Sequence, residues 1–254
     1  MSPKIILITG ASSGIGAALA RAHAGAYAEA GVTLLLWGRN ESRLNETAQQ
    51  CRALGAAALT QSFDLRDAPG FVARLSATDA QMPIDLAIFN AGLGGTLAKE
   101  DFAEAPETAQ AIAEVNFVAP VAGASALAGA MAKRGAGHIV LVGSISESYP
   151  LPMAPTYAAS KAGLRLFAEA LGLRMKRFGV AVSLVSPGFI DTPMSRKVIE
   201  PKPFLMDADK AARIIARDIA LGARVIVVPW QIRVMRAFTD LLPRVVVRWV
   251  MSRV

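Results

Sequence analysis

The segment Thr9-Gly10-Ala11-Ser12-Ser13-Gly14-Ile15-Gly16 decides how this chain folds. It follows the apolar run Ile5-Ile6-Leu7-Ile8, which reads as a buried strand. It leads into an alanine-rich helical stretch from Ala17 to Ala30. A strand that turns through glycines into a helix is how doubly wound folds hold a pyrophosphate. The glycines permit a tight turn and close backbone approach, and the helix N-terminus offers unpaired N–H groups and a positive dipole end. The spacing here is G-x-x-x-G-x-G, with hydroxyls at Ser12 and Ser13. Alone, such a turn serves a tight βα connection as well as a phosphate. Residues further along separate the two readings.

Outward from that turn, apolar runs of strand length recur at Val32–Trp37, Ala57–Phe63, Leu86–Asn90, His138–Val142, Val180–Val185 and Val225–Val228. Helical stretches lie between them at Glu41–Leu54, Ala68–Ala77, Pro106–Lys133, Tyr157–Phe178 and Asp207–Leu221. Strands that read as continuous Val, Ile and Leu belong to a parallel sheet covered on both faces. The alternation therefore predicts an α/β fold: a doubly wound parallel sheet of about seven strands, a Rossmann fold in a single domain. Ligands should sit at the carboxyl ends of the strands. Residues 1–229 form the catalytic domain in this reading, and residues 230–254 an amphipathic tail.

Composition narrows the function classes. The 254 residues suffice for one large core, and no repeat or low-complexity stretch interrupts them. A single cysteine, Cys51, rules out an internal disulfide framework, and His23 and His138 are too few to suggest a metal cluster. Both histidines read as packing or surface residues. The net charge of +7 is not organised into a basic patch interleaved with aromatics, so nucleic acid is not expected as a partner. The chain enters a strand within four residues, and no charge-free run of about 18 apolar residues stands out. A cytoplasmic protein without a spanning helix is expected.

Chemistry gathers later in the chain. In Tyr157-Ala158-Ala159-Ser160-Lys161 the phenol and the ammonium stand four residues apart on one helix face. A tyrosine with a pKa near 10 is a poor acid–base catalyst at neutral pH, and a neighbouring cation lowers that value. Thirteen residues earlier, Gly143-Ser144-Ile145-Ser146 follows the fifth predicted strand. A hydroxyl there can steady a carbonyl oxygen while Tyr157 gives or takes its proton.

These motifs together resemble the short-chain dehydrogenase/reductase family over nearly the whole chain. They run in family order: the T-G-x-x-x-G-x-G turn, Asn90-Ala91-Gly92, Asn116, Ser144, Tyr157 with Lys161, and Pro187-Gly188 with Thr192. The resemblance implies that Tyr157 is the general acid or base. Lys161 would lower its pKa and hold the nicotinamide ribose. Ser144 would bind the reacting oxygen, and Asn116 a water leading to Lys161. Gly10, Ser12, Ser13, Gly14, Ile15 and Gly16 would cradle the phosphates. Pro187, Gly188, Ile190 and Thr192 would line the nicotinamide, Asn90, Ala91 and Gly92 the adenosine ribose, and Asp64 and Leu65 the adenine edge.

Cofactor choice turns on the end of the second strand, Leu36-Trp37-Gly38-Arg39-Asn40. An acidic residue there would favour NAD; Arg39 instead suits a 2′-phosphate. NADP(H) is expected, with NAD as the weaker alternative. Substrate would lie between the segment after Ser144 and the loop at about 193–206. Ser146, Tyr149, Met153, Met194 and Phe204 are the candidate contacts, with Leu151 and Met206 adding to an apolar wall. Arg196, Lys197 and Lys202 either meet an anionic group or sit on a solvated lid.

The tail from Trp230 to Val254 keeps helical spacing through Ile232, Val234, Met235, Phe238, Leu241 and Leu242, with Arg233, Arg236 and Asp240 opposite. Beyond Pro243, Arg244, Arg248 and Ser252 form a polar stripe on an apolar stretch containing Trp249. Such a helix packs on its own fold or a partner subunit, or lies peripherally at a membrane surface. The expected protein is an NADPH-dependent carbonyl reductase, reversible as an alcohol dehydrogenase, acting on a small-molecule ketone or aldehyde as a homodimer or homotetramer. The alternatives are a catalytically silent NADP-binding regulator or scaffold, and a reductase of lipid or envelope-polysaccharide metabolism at a membrane surface.

Overall fold

Strand β1 (Ile5–Thr9) has no solvent face: Ile6 and Ile8 are buried in one set of core residues and Leu7 in another. Helices on both sides of a parallel sheet require this. The computed structural model describes residues 2–98, 100–198 and 201–240, with side chains through Arg236. The tail residues from Leu241 onward, including Pro243, Arg244, Arg248, Trp249 and Ser252, lie outside the described residues, as do Lys99, Ile199 and Glu200.

The strands that follow are β2 (Thr33–Gly38), β3 (Ala57–Ser62), β4 (Leu86–Phe89), β5 (Gly137–Val142), β6 (Val180–Pro187) and β7 (Val225–Val228). All seven pair in parallel in the order β3-β2-β1-β4-β5-β6-β7. The sheet is the doubly wound one that the alternation predicts. One face is covered by α1 (Gly14–Tyr27), α2 (Glu41–Ala53) and α7 (Ala208–Ala220), through residues such as Leu19, Leu44 and Ile215. The other is covered by α3 (Ala68–Gln81), α5 (Ala119–Arg134) and α6 (Pro155–Met175), through Phe71, Leu127 and Leu164. The strand order reverses between β1 and β4, which opens a crevice at their carboxyl ends.

Several boundaries differ from the expected ones. α1 starts at Gly14 and ends at Tyr27 in a short 3-10 turn closed by Gly31 at φ 71°. α3 runs four residues further, to Gln81. The predicted helix 106–133 is interrupted: α4 (Pro106–Ala113) passes into a π-helical segment, Glu114–Val118, before α5 begins. Pro120 is the physical reason. It has no N–H to donate to the carbonyl four residues earlier, and its ring crowds that carbonyl, so the turn widens. By length and composition the run Pro106–Arg134 is long and apolar enough to cross a membrane. Half of its apolar window is buried inside the fold, where Ala119, Ala124, Leu127, Ala128 and Met131 belong to the core.

The last described element is α8 (Trp230–Asp240). Its seat is Ile232, which is buried, while Trp230, Val234 and Met235 face outward and are exposed.

Candidate active site

The glycine turn sits where β1 meets the crevice. Gly10 and Gly14 have φ of 70° and 56°, in the left-handed region that favours glycine. A Cβ on Gly16 would overlap the Gly10 carbonyl oxygen, and one on Gly10 would lie 2.8 Å from Ala91 Cα. The backbone here must stay bare. Ser13 occupies the N-cap position of α1, yet its hydroxyl makes no capping bond, leaving the helix N-terminus open to an anion. This cradle fits a pyrophosphate. Ile15 is half-buried and packs on the core below. The turn is tied to β4 through Thr9, whose hydroxyl accepts the N–H groups of Asn90 (3.0 Å) and Ala91 (3.1 Å), while Asn90 Nδ2 donates to Thr9 O at 3.1 Å.

At the end of β2, Ser12 Oγ lies beside Gly38, and Arg39 follows with its side chain exposed. Across β3, Asp64 is engaged by Arg66: Nε donates at 2.9 Å, Nη2 at 2.5 Å and the backbone N–H at 3.0 Å. Those bonds hold its carboxyl below the usual carboxylate range. Leu65 is half-buried against the aromatic side of the core.

The second group lies at the carboxyl end of β5. Ser144 leaves that strand and caps the 3-10 turn Ile145–Ser148, its Oγ accepting the Ser146 N–H at 3.2 Å. Tyr157 and Lys161 stand one turn apart near the start of α6. Lys161 is buried; its Nζ lies 5.8 Å from the Tyr157 ring centroid and donates to Val142 O at 2.9 Å. Burial lowers the Lys161 ammonium to about 8, opposed by the charge of Glu147.

The Tyr157 phenol is pushed up, chiefly by burial and also by Glu147. The hydroxyls of Ser144 and Ser146 pull it back down. Desolvation outweighs the two hydroxyls, and the Lys161 ammonium is turned onto the Val142 carbonyl.

Asn116, in the π-helical segment, is buried and faces the loop after β4. Its Oδ1 accepts the Leu93 N–H at 2.7 Å, and its Nδ2 donates to Leu93 O at 2.9 Å and to Ser160 Oγ at 3.4 Å. A Cβ on Gly92 would lie 3.3 Å from Asn116 Oδ1 and 3.7 Å from Lys161 Nζ. Asn116, Gly92 and Lys161 thus share one small space.

The loop after β6 completes the enclosure. Pro187 is buried, Gly188 N–H donates to Val228 O at 2.7 Å, and Ile190 bridges to Met206. The Thr192 side chain packs beside Gly14, and its hydroxyl accepts the Ser195 N–H at 3.1 Å. Met194 lies against Gly94, while the Leu97 N–H donates to Met153 O at 2.7 Å. The segments carrying Met153 and Met194 therefore meet the loop after β4 from two sides. Tyr149 is half-buried; Phe204 and Met194 are substantially exposed. Asp191 binds Arg196 through Nε at 2.8 Å and Nη2 at 3.1 Å, an exposed ion pair.

Three residues near the site escape sequence reasoning. Glu147 is buried, with Oε2 accepting the Ser144 N–H at 3.3 Å. Its Oε1 accepts Ser186 Oγ at 2.6 Å and Arg236 Nη1 at 2.9 Å. Arg236 was expected on the polar side of the tail helix; the structure turns it inward because Glu147 needs a partner. The S-x-x-E pattern at Ser144–Glu147 is the one local signal that marks this arrangement.

Residues 4–203 match the short chain dehydrogenase family. An uncharacterised oxidoreductase of Myxococcus xanthus is 32% identical over 244 residues, 96% of this chain and 94% of that protein. A short-chain dehydrogenase of Sphingobium yanoikuyae, solved in complex with NADPH, superimposes with a TM-score of 0.81 at 25% identity, covering 98% of this chain and 96% of that one. The actinorhodin polyketide ketoreductase, solved with NADPH, does so with a TM-score of 0.77 at 28% identity over 89% of this chain and 95% of that one.

Proposed function

Because the chain belongs to the short-chain dehydrogenase/reductase family, we propose that it is an NADPH-dependent carbonyl reductase, reversible as an alcohol dehydrogenase. One observation carries this reading. Ser144, Tyr157 and Lys161 converge at the carboxyl end of β5, with the Ser144 hydroxyl acting on the Tyr157 phenol and the Lys161 ammonium 5.8 Å from its ring. When bound, the nicotinamide supplies the hydride.

The chain supplies the rest. Ser144 holds the substrate oxygen, Tyr157 donates the proton to it, and Lys161 orients the ribose and keeps a positive charge beside the phenol. Asn116, held by both polar groups of Leu93, keeps the space behind Lys161 open to a proton path. Gly10, Gly14 and Gly16 let the backbone approach the pyrophosphate, and Arg39, exposed at the end of β2, binds the 2′-phosphate. NADPH in the Sphingobium enzyme and the ketoreductase supports that choice. Pro187, Gly188, Ile190 and Thr192 line the nicotinamide; Asp64 and Leu65 border the adenine.

The substrate is a ketone or aldehyde with an apolar part, received among Ser146, Tyr149, Met153, Met194 and Phe204. The chain works as a homodimer or homotetramer in this reading, through the helices at 106–133 and 157–178. Loss of nicotinamide absorbance with NADPH and NADH, against aldehydes, ketones, β-ketoacyl thioesters and keto-sugars, tests the reading. Turnover preferring NADPH upholds it. NADPH binding without reduction of any carbonyl overturns it and leaves a binding protein.

A further inference from the structure

The loop that carries Ser144 holds a buried carboxylate for which the reaction proposed above has no direct use. The Glu147 side chain is wholly shielded from solvent, three residues after Ser144. One oxygen accepts the Ser144 backbone N–H; the other accepts Ser186 Oγ from β6 and the Arg236 guanidinium from α8. Ser186 directly precedes Pro187, so the same carboxylate joins the Ser144 loop to the strand that lines the crevice. α8 is seated on that corner: a Cβ on Gly188 would come within 2.8 Å of Ile232 Cγ1. Burial pushes the Glu147 carboxyl up, and Ser186, the Ser144 N–H and Arg236 oppose that. A buried carboxylate without a cation is costly, which gives Arg236 its hold on the loop.

We propose that Glu147 and Arg236 form a positioning pair for the reaction: Glu147 holds the backbone of Ser144, Arg236 holds Glu147, and α8 is thereby a working part of the site. The inference rests on the reductase reading for its kinetic consequence only. Neither side chain reaches the reacting atoms in this arrangement. They act through Ser144, and through the charge that Glu147 presents to Tyr157 and Lys161.

The full chain is compared with Arg236→Met, Arg236→Lys, Glu147→Gln and the Glu147→Gln/Arg236→Met double variant. Two readouts are taken: kcat and KM with NADPH, and the alkaline tyrosinate absorbance of Tyr157, obtained as the difference from Tyr157→Phe in each background. The second needs no substrate. Arg236→Met is expected to raise the Tyr157 midpoint by about half a unit to one unit, and Glu147→Gln to lower it. Arg236→Met should lose about 10- to 100-fold in kcat with KM for NADPH little changed. Arg236→Lys should recover most of that loss, and the double variant part of it, because the uncompensated charge is gone.

An unmoved Tyr157 midpoint in both single variants overturns the proposal, whatever happens to kcat. So does equal loss of kcat in Arg236→Met, Arg236→Lys and the double variant, which marks a merely structural contact. Should Arg236→Met not fold, Arg236→Lys and the double variant carry the same comparison. If the unaltered protein reduces no carbonyl while the midpoints still shift, the reductase reading fails and the pair stands.

Discussion

Lys161 Nζ lies 5.8 Å from the centre of the Tyr157 ring while donating at 2.9 Å to the Val142 carbonyl at the end of β5. The ammonium is thus pinned to the sheet and its distance from the phenol is set by the strand rather than by the helix alone. Replacing the phenol tests the assigned acid most directly. Tyr157→Phe is expected to lower kcat at least 100-fold, the range of a lost general acid, with NADPH affinity changed by no more than a few fold. Single-turnover absorbance and NADPH fluorescence titration read the two quantities; retained turnover would sink the assignment.

Arg39 governs cofactor choice in this reading, since it is exposed at the tip of β2 with Ser12 alongside Gly38. Arg39→Ala should raise KM for NADPH about 10- to 100-fold, the worth of one charge-assisted contact to phosphate, and leave KM for NADH nearly unchanged. Equal effects on both cofactors would remove Arg39 from 2′-phosphate recognition.

A methyl group at Gly16 would collide with both the Gly10 carbonyl oxygen and Asn90 Nδ2. Gly16→Ala is expected to abolish NADPH binding and to destabilise the protein by about 2 kcal/mol or more, because backbone must move to admit it. Calorimetric titration and thermal melting measure both effects. Gly129, in α5, has open space around its Cβ position, and Gly129→Ala should leave NADPH binding unchanged and raise stability by about 0.5–1 kcal/mol, as alanine does in a helix interior.

Both histidines are held neutral by burial, His23 and His138 each lowered from 6.5 to about 4. Below pH 6.5 the unfolded chain therefore binds more protons than the folded one, and stability falls as pH falls from 6.5 toward 4. The loss reaches about 2 kcal/mol per histidine at pH 5, by linkage from those values. Melting curves at pH 7 and pH 5 should differ accordingly, with a smaller gap in His23→Phe. An equal gap in that variant would exclude His23 as a source.

The sheet was legible because its signals are local: unbroken apolar runs, glycines at Gly10, Gly14 and Gly16, and the four-residue step from Tyr157 to Lys161. What was not legible depends on distance or on competing forces. Glu147 and Arg236 are 89 residues apart, and nothing in the helical spacing of the tail shows that one arginine turns inward. The helical period places Arg236 with Arg233 and Asp240 on a polar side, whereas the buried Glu147 carboxylate draws its guanidinium inward. The π-helical turn at Asn116 had a signal in Pro120, which periodicity averages away. For Tyr157 the four-residue step to Lys161 is visible in sequence, whereas the burial that pushes the phenol up is not.

The long reach from Glu147 to Arg236 also has a meaning in time. On the ribosome the N-terminal part of the chain emerges first, and with it β1, β2 and β3, then β4, whose Asn90 ties the glycine turn in place. The guanidinium that steadies the Ser144 loop emerges only after β7, as part of α8. The brace on the Ser144 loop is thus the last part of the site to be synthesised, after every residue assigned to the dinucleotide.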